Sequence, residues 1–246
     1  MKQCLLEVTK NERLTSDIYE MTLEGEAGEN RAGQFANVSV PNKFLRRPIS
    51  VADAGENFIT LVYRVTGEGT GTDEMSKLSV GDTLDVLTGL GNGYDTSLAG
   101  CRPLLLGGGV GTPPIYCLAK SLVSDGISPT VALGFNRADD MFYLDKFKTL
   151  GVELRVATLD GSYGDEGFVT DAAFGIDFSY YYACGPMPML AAIRRAFGER
   201  GEMSFEERMG CGFGACVGCT WNTKLGARRV CRDGPVFKTG EIIWKD

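Results

Sequence analysis

The segment RPLLLGGGVGTPPIYCLAKSLVSDG, residues 102–126, decides the fold class of this chain. Its apolar first part, residues 103–106, is typical of a buried strand and runs directly into a glycine-rich turn at 107–111. The following residues predict a helix with a proline pair in its first turn, where an N–H group would have no partner within the helix. A buried strand that passes through glycines into a helix is typical of a parallel α/β layer.

Downstream of this segment, strand-like and helix-like stretches alternate. Strand candidates lie at 129–137, 152–160 and 180–186, and helix candidates lie at 139–151 and 187–201. This alternation predicts a parallel sheet with right-handed crossovers, which we assign to a central nucleotide-binding α/β domain of residues 99–203. From about residue 204 the chain is rich in Gly and Cys, and we expect little regular structure in that C-terminal region, 204–246.

Upstream of the segment, the chain is predicted to be all β. Strand candidates rich in β-branched and aromatic residues lie at 5–14, 18–26, 34–41, 49–55, 58–65 and 82–90, separated by Gly, Asn, Asp and Pro. Only one short helix is expected among them, over Thr72–Leu78. Strands at this spacing predict a small antiparallel β-barrel domain of residues 1–98.

Charge and composition exclude several classes of function. The net charge is −7, so the basic surface that nucleic-acid binding requires is missing, and the absence of histidine rules out every His-dependent catalytic or metal site. The N-terminus does not resemble a signal peptide, and no window reaches the roughly 18 apolar residues of a membrane span. We therefore expect a cytoplasmic protein that binds neither nucleic acid nor membrane, in which cysteine is more often a metal ligand or redox group than half of a disulfide.

Half of the eight cysteines lie close together near the C-terminus, in the pattern C-x4-C-x2-C-x11-C. The first three have the spacing of plant-type [2Fe–2S] proteins, and the glycines between them allow the chain to curl around a cluster. A structural zinc site is the alternative, although zinc sites usually add a second CxxC or a histidine pair. We interpret Cys4, Cys101 and Cys117 as ordinary small hydrophobic residues. The candidate cluster ligands are Cys211, Cys216, Cys219 and Cys231.

Three further motifs have the character of ligand sites. RPIS, residues 47–50, begins a strand with an arginine that could pair with a pyrophosphate, although the motif taken alone favours a surface arginine in a turn. GEGTGT, residues 67–72, is a glycine-rich turn before a helix, which favours anions. GGGVGTPP, residues 107–114, has the strand-to-helix context of a dinucleotide-binding turn, but it is not a strict GxGxxG, so a tight strand–helix turn is the alternative. Cys184 lies at the carboxyl end of a later strand, where it could face a nicotinamide or flavin ring or be a buried small residue.

With RPIS, YRV, GEGTGT, GGGVGTPP, CGPMPM and the cysteine tail in this order, the chain resembles the ferredoxin-reductase-like flavoproteins over essentially its whole length. More closely, it is similar to the electron transfer subunits of dihydroorotate dehydrogenase B, because it also carries LTGLGNGYD at residues 87–95. The resemblance implies a barrel that binds FAD, an α/β domain that binds NAD and a C-terminal loop that holds a [2Fe–2S] cluster.

The resemblance also implies roles for particular residues. The cysteines named above would be the cluster ligands, and Gly107, Gly108, Gly109, Gly111 and Thr112 would lie on the nicotinamide side. Members of the wider superfamily often have a flavin-stacking aromatic residue where this chain has Ile49, and the two Gly-Thr pairs of GEGTGT leave the register of the phosphate contact open. The implied FAD contacts are Arg47, Pro48, Ile49, Ser50, Tyr63, Arg64, Val65, Gly71 and Thr72.

The implied partner is an FMN-containing catalytic subunit that oxidises dihydroorotate, in a heterotetramer with two copies of each chain. Electrons would pass from FMN through the cluster and FAD to NAD⁺. A related alternative is the small FAD/[2Fe–2S] subunit of an NADH-dependent ferredoxin:NADP oxidoreductase or a sulfide dehydrogenase, in which an aspartate often replaces one cysteine. An alternative of another class is a zinc-stabilised nucleotide-binding module without redox activity.

Overall fold

The N-terminal part of the chain is a closed antiparallel barrel in the computed structural model, which describes residues 1–244. Alternating apolar residues of its strands point inward, as Leu6 and Val8 do on the first strand and Leu84 and Val86 do on the sixth. This confirms the predicted barrel. The strands are β1 Lys2–Arg13, β2 Ile18–Glu24, β3 Phe35–Val38, β4 Arg47–Ala54, β5 Phe58–Arg64 and β6 Thr83–Leu90, in the order β1-β2-β5-β4-β3-β6.

The expected short helix is α1, Gly71–Ser76, which connects β5 to β6. Thr70 caps it by accepting a hydrogen bond from the Asp73 N–H group, which gives it a defined beginning.

The central part is an α/β layer built on a seven-stranded sheet, in the order β10-β9-β8-β7-β11-β12-β15, in which the last strand, β15, is Val236–Lys238 of the tail. Its strands pair in parallel except at β15, as the alternating sequence pattern predicts. Buried apolar side chains of β7, such as Leu105, and of helix α2, such as Ile115 and Leu118, form its core. The elements are β7 Pro103–Gly108, α2 Thr112–Ser124, β8 Thr130–Phe135, α3 Leu144–Thr149, β9 Glu153–Thr158, β10 Asp165–Glu166, α4 Val169–Ala172, β11 Tyr180–Cys184, α5 Met187–Phe197 and β12 Gly201–Ser204.

The C-terminal region has more regular structure than the sequence predicts. It forms a hairpin of β13 Thr220–Thr223 and β14 Gly226–Arg229, a single turn α6 Val230–Asp233, and strand β15 Val236–Lys238. β15 pairs antiparallel with β12 and buries Phe237, so the tail completes the central sheet. The expectation of little regular structure was wrong because segments of three or four residues are too short to show a periodic pattern. Within residues 1–244, no helix is both long and apolar enough to cross a membrane.

A buried carboxylate joins the barrel to the α/β layer. Glu20 on β2 is only 3% exposed and lies 2.8 Å from the Lys10 ammonium and 2.5 Å from the Lys146 ammonium. The hydroxyl of Tyr143 also donates to it. Burial opposes ionisation of Glu20, but these three donors outweigh it and lower its pKa below the ordinary value of 4.5.

We expect Glu20→Gln to lower the free energy of unfolding by about 1–3 kcal/mol at neutral pH, since two ammonium groups lose their shared partner. A lowered carboxyl pKa contributes stability that is fully present above 4.5 and is lost as the pH falls through the folded-state value. The difference between variant and wild type in urea unfolding should therefore shrink in acid.

Glu12→Gln is the matched control, because the exposed Glu12 carboxylate pairs with the same Lys10 at 3.1 Å. Equal effects of the two substitutions would contradict a special role for Glu20.

Candidate cofactor and cluster sites

The β13–β14 hairpin brings two of the predicted cluster cysteines together. Cys219 directly precedes β13 and Cys231 lies just after β14, and the hairpin pairs Thr220 with Arg229. As a result, the Cys231 N–H group lies 3.5 Å from the Cys219 sulfur. Burial, together with the neighbouring Cys219 thiol, raises the pKa of Cys231 to about 12. A pair of buried thiols at this spacing is suited to a metal that displaces their protons.

The other two cysteines lie in residues 210–219, which we term the cluster loop. The Cys216 N–H group points at the Cys211 sulfur, 3.3 Å away. Burial tends to raise the pKa of the Cys211 thiol, but backbone N–H groups, led by those of Cys216 and Phe213, outweigh it and lower the pKa to about 6. The loop is thus already built to stabilise a negatively charged sulfur.

The four thiols lie as two pairs, and the charge of Cys211 also contributes to the raised pKa of Cys231. No group of three or more His, Cys, Asp or Glu side chains in residues 1–244 is already arranged around a common metal position. The donor set consists of thiols alone, with N–H groups directed at the sulfurs of Cys211 and Cys219, which fits an anionic iron–sulfur cluster. A zinc ion could also take four thiolates.

A cavity of 200 Å³ lies where the barrel meets the α/β layer and the tail. We term it the flavin cavity after the flavin contacts that the sequence predicts among its lining residues. It brings together Pro48, Ile49 and Ser50 of β4 with Tyr63 and Arg64 of β5, all predicted from sequence. The α/β layer adds Val110, and the tail adds a wall formed by residues 204–207, Met209 and Pro235. Two separate sequence motifs therefore meet in one cavity.

Not every predicted flavin contact presents its side chain to this cavity. The Tyr63 side chain is buried in the barrel, where its hydroxyl donates to Asn11 at 2.8 Å, so Tyr63 offers the cavity mainly backbone. Val65 packs partly against the barrel core and does not line the cavity. Arg64 is exposed, and its Nε lies 3.1 Å from the Asp17 carboxylate.

Arg47 lies directly against the turn that opens α1. A Cβ atom placed on Gly71 would come within 2.1 Å of Arg47 Nε, so only glycine leaves room for the guanidinium. The adjacent Thr72 hydroxyl lies 3.4 Å from the Thr66 N–H group. The structure thus brings the RPIS arginine to the second Gly-Thr pair of GEGTGT. An arginine fork beside a helix start is a suitable arrangement for a phosphate group.

The glycines of the β7–α2 turn have different surroundings. Gly107 and Gly111 are packed, because an added Cβ would lie 2.8 Å from the Leu133 side chain or 2.1 Å from the Cys184 carbonyl oxygen, respectively. Gly109 has a positive φ of +51° and nothing within 4 Å of an added Cβ, so its backbone faces open space. Thr112 is fully buried, and its Oγ1 has no partner among the described residues.

A second cavity, of 460 Å³, opens from this turn across the carboxyl ends of the parallel strands. Gly108, Gly109 and Val110 line it on one side, and residues at the ends of β8 and β11 line it on the other. Val110 and Arg64 line both cavities, so the two are adjacent. The carboxyl edge of an open parallel sheet is where nucleotides bind in such folds.

The cysteines outside the cluster pattern differ in their burial. For Cys184 the sequence left the surroundings open, and for Cys101 it predicted them wrongly. Cys184 is 4% exposed, lines neither cavity, and burial raises the pKa of its thiol to about 12. Cys4 is buried and Cys117 partly buried, as expected, but Cys101 is exposed, which does not fit its interpretation as an ordinary small hydrophobic residue. Cys101 lies just before β7, in the turn that links the barrel to the sheet.

Gly111→Ala should destabilise the fold, because its Cβ would collide with a backbone carbonyl that cannot rotate away. We expect the free energy of unfolding to fall by about 1–3 kcal/mol, as measured by urea denaturation. Gly240→Ala is the control, since its added Cβ would meet only the flexible Glu199 carboxylate at 3.4 Å. An unchanged midpoint for Gly111→Ala would show that the turn is not packed as described.

Sequence reasoning did not find the tail's contribution to the flavin cavity. Phe205 is buried in the core, Glu206 also lines the cavity, and both lie shortly before the first cluster cysteine. Val110 was overlooked as well, although it stands between the glycines of the predicted nucleotide turn. The available signal was their nearness in sequence to the cysteine pattern and to the glycine-rich turn, since Phe, Glu and Val are not distinctive residue types in themselves.

Comparison with known proteins adds independent findings. Residues 206–243 match the family model of the iron–sulfur cluster binding domain of dihydroorotate dehydrogenase B. The dihydroorotate dehydrogenase B (NAD⁺) electron transfer subunit of Geobacillus sp. (strain WCH70) is 44% identical over 99% of both chains. This chain belongs to the family of dihydroorotate dehydrogenase B electron transfer subunits. The member from Fusobacterium nucleatum is also 44% identical, over 96% of both chains.

Solved structures agree with membership of this electron transfer subunit family. An NADH-dependent reduced ferredoxin-NADP oxidoreductase superposes with a TM-score of 0.86 and 32% identity, covering 98% of this chain and 90% of that one. Phthalate dioxygenase reductase shares the fold at 18% identity, with a TM-score of 0.69 over 83% of this chain and 70% of that one. The predicted fold class and family resemblance are therefore confirmed.

Proposed function

We propose that this chain is the electron transfer subunit of an NAD-linked dihydroorotate dehydrogenase. It would carry electrons from a catalytic subunit through a [2Fe–2S] cluster and FAD to NAD⁺. The observation that carries the proposal is the shared wall of the flavin cavity. Residues 204–207 and Met209 line that cavity, and Cys211 follows two residues later. A flavin in the cavity and a cluster in the loop would therefore be held next to each other by one continuous stretch of backbone.

In the barrel, Arg47 with Gly71 and Thr72 would hold the FAD diphosphate, and Pro48, Ile49 and Ser50 would contact the ring system. Tyr63, Arg64 and Val65 would complete this site through backbone and packing. When bound, FAD converts the two-electron hydride chemistry of NAD(H) into the one-electron chemistry of a cluster. The chain itself supplies orientation and electrostatics, since it has no histidine to act as a general base.

On the other side of Val110, Gly108 and Gly109 would approach NAD through their backbone. Gly107 and Gly111 would act indirectly by keeping the turn close to the sheet. Thr112 is fully buried and lines neither cavity, so it would support the turn from within the fold and leave the nucleotide contact to the neighbouring backbone. Cys184 would support the turn through its backbone, because its carbonyl oxygen packs against Gly111.

Cys211, Cys216, Cys219 and Cys231 would ligate the cluster as thiolates. Phe213 and Val217 of the cluster loop are 45% and 74% exposed, which would suit an interface with the catalytic subunit. We propose that this subunit contains FMN and that the complex holds two of each chain. We propose a division into residues 1–98, 99–203 and 204–246, in which the first part would bind FAD, the second NAD and the third the cluster. Strand β15 of the third part returns to the central sheet.

The direct test is to purify the tagged chain from its native host and identify what accompanies it. The proposal predicts a co-purifying FMN protein in equal amount, a flavin and iron–sulfur spectrum, and dihydroorotate-dependent NAD⁺ reduction by the eluate. A colourless, zinc-containing chain would contradict it.

The ferredoxin-linked function is the second candidate, because the solved ferredoxin-NADP oxidoreductase covers nearly the whole chain. A flavin and iron–sulfur complex that reduces NADP⁺ from reduced ferredoxin, and does not respond to dihydroorotate, would support this second candidate.

A further inference from the structure

Asn37 lies on β3 in the wall between the flavin cavity and the cluster loop. Phe35, two residues earlier on the same face of the strand, lines the flavin cavity. Pro48, the partner of Asn37 across the β3–β4 ladder, lines it as well. Asn37 itself is 1% exposed, so its amide is fully enclosed by these elements.

The Asn37 amide is bonded to the first cysteine of the cluster loop. Its Nδ2 donates to the Cys211 carbonyl oxygen at 3.2 Å, across a sequence separation of 174 residues. The next residue, Gly212, has φ +78°, and an added Cβ there would lie 2.3 Å from Asn37 Nδ2. The loop backbone therefore packs directly on the amide, with no space for any side chain between them.

Within residues 1–244, the bond from Nδ2 to Cys211 is the only hydrogen bond of the Asn37 side chain. Asn37 Oδ1 is buried and has no hydrogen-bond partner among residues 1–244. Ala36 and Val38, the neighbours of Asn37, are apolar and fill the barrel interior. A buried asparagine with one half unpaired is an unfavourable choice for packing alone, so its bond to the loop is the feature that accounts for an amide at this position.

We propose that Asn37 is a positioning residue that fixes the cluster loop on the flavin-binding barrel and thereby sets the separation of flavin and cluster. The inference rests on the proposed function, since it needs both redox groups. Electron tunnelling falls steeply with distance, and a redox site works only when its supporting residues hold it in place. Asn37 lines neither cavity and would act through the Cys211 backbone.

The test uses the purified holoprotein with Asn37→Leu, which removes the donor, and Asn37→Asp, which keeps only acceptors. Asn57→Leu makes the same chemical change at an exposed turn between β4 and β5. NADH delivers two electrons as a hydride, and ferricyanide or the cluster then accepts them one at a time. Rapid mixing measures ferricyanide reduction and cluster reduction separately, and EPR records the reduced cluster.

We expect both Asn37 variants to reduce ferricyanide within about twofold of wild type but to reduce the cluster about tenfold more slowly, as expected for loss of one buried hydrogen bond. The EPR signal should broaden, because Cys211 is no longer held in one position. Asn57→Leu should match wild type in every readout.

Cluster reduction at the wild-type rate in both variants would overturn the inference, and so would an equal fall in both rates, which would mark Asn37 as a residue of the barrel core only. If Asn37→Leu loses FAD, Asn37→Asp decides between these outcomes. A wild-type chain without flavin or cluster would instead contradict the proposed function, and with it this inference.

Discussion

Replacing Cys219 with serine is expected to abolish the iron–sulfur cluster. Cys219 is 1% exposed and shares the hairpin end with Cys231, so its thiol is enclosed beside a second candidate ligand. Iron content should fall to near zero, and dihydroorotate-dependent NAD⁺ reduction by the complex should fall at least about 100-fold, because a structural metal site contributes on the order of 10 kcal/mol or more. Iron analysis and the visible spectrum of the purified variant measure this directly.

NADH oxidation by ferricyanide should persist in the Cys219→Ser variant, because that reaction needs only the flavin side. Cys101→Ser is the control, since Cys101 is exposed and lies outside the cluster loop. Full iron content in Cys219→Ser, or equal loss in Cys101→Ser, would show that the ligands are assigned wrongly.

Replacing Arg47 with alanine should release FAD. The guanidinium lies against Gly71 at the start of α1, and a charge-assisted hydrogen bond to phosphate contributes about 1.5–3 kcal/mol. The dissociation constant for FAD should therefore rise about 10- to 100-fold, as measured by the recovery of flavin fluorescence on dilution.

Arg31→Ala removes an exposed arginine of the same barrel and is the matched control. Unchanged FAD affinity in Arg47→Ala would indicate that the diphosphate lies elsewhere, for example along Arg64.

The fold could be predicted in most of its elements because periodicity reports local structure well. The β-rich first hundred residues and the strand–glycine–helix unit at 102–126 each have a pattern that the structure confirms. The tail could not be predicted, because β13, β14 and β15 are too short to be periodic and are stabilised by tertiary contacts such as the packing of Phe237. Cys101 was misjudged because burial of a lone cysteine depends on which turn it falls in.

The site could be predicted as a set of motifs but not as a geometry. RPIS and GEGTGT are some 20 residues apart, and only the closed barrel shows that Arg47 meets Gly71. The sequence pattern does not distinguish the packed glycines of 107–111 from the open ones. Asn37 is separated from the cluster loop by most of the chain, so its contact with Cys211 follows from the fold alone.

In the proposed function, electrons from dihydroorotate cross this chain through its cluster and flavin on the way to NAD⁺. The most direct measurement is freeze-quench EPR of the complex with its catalytic subunit after mixing with dihydroorotate in the absence of NAD⁺. We expect the reduced-cluster signal to appear, and added NAD⁺ to remove it at the rate of NADH formation. NADH formation at full rate while the cluster remains oxidised, or an undiminished rate in the Cys219→Ser complex, would contradict the proposed function.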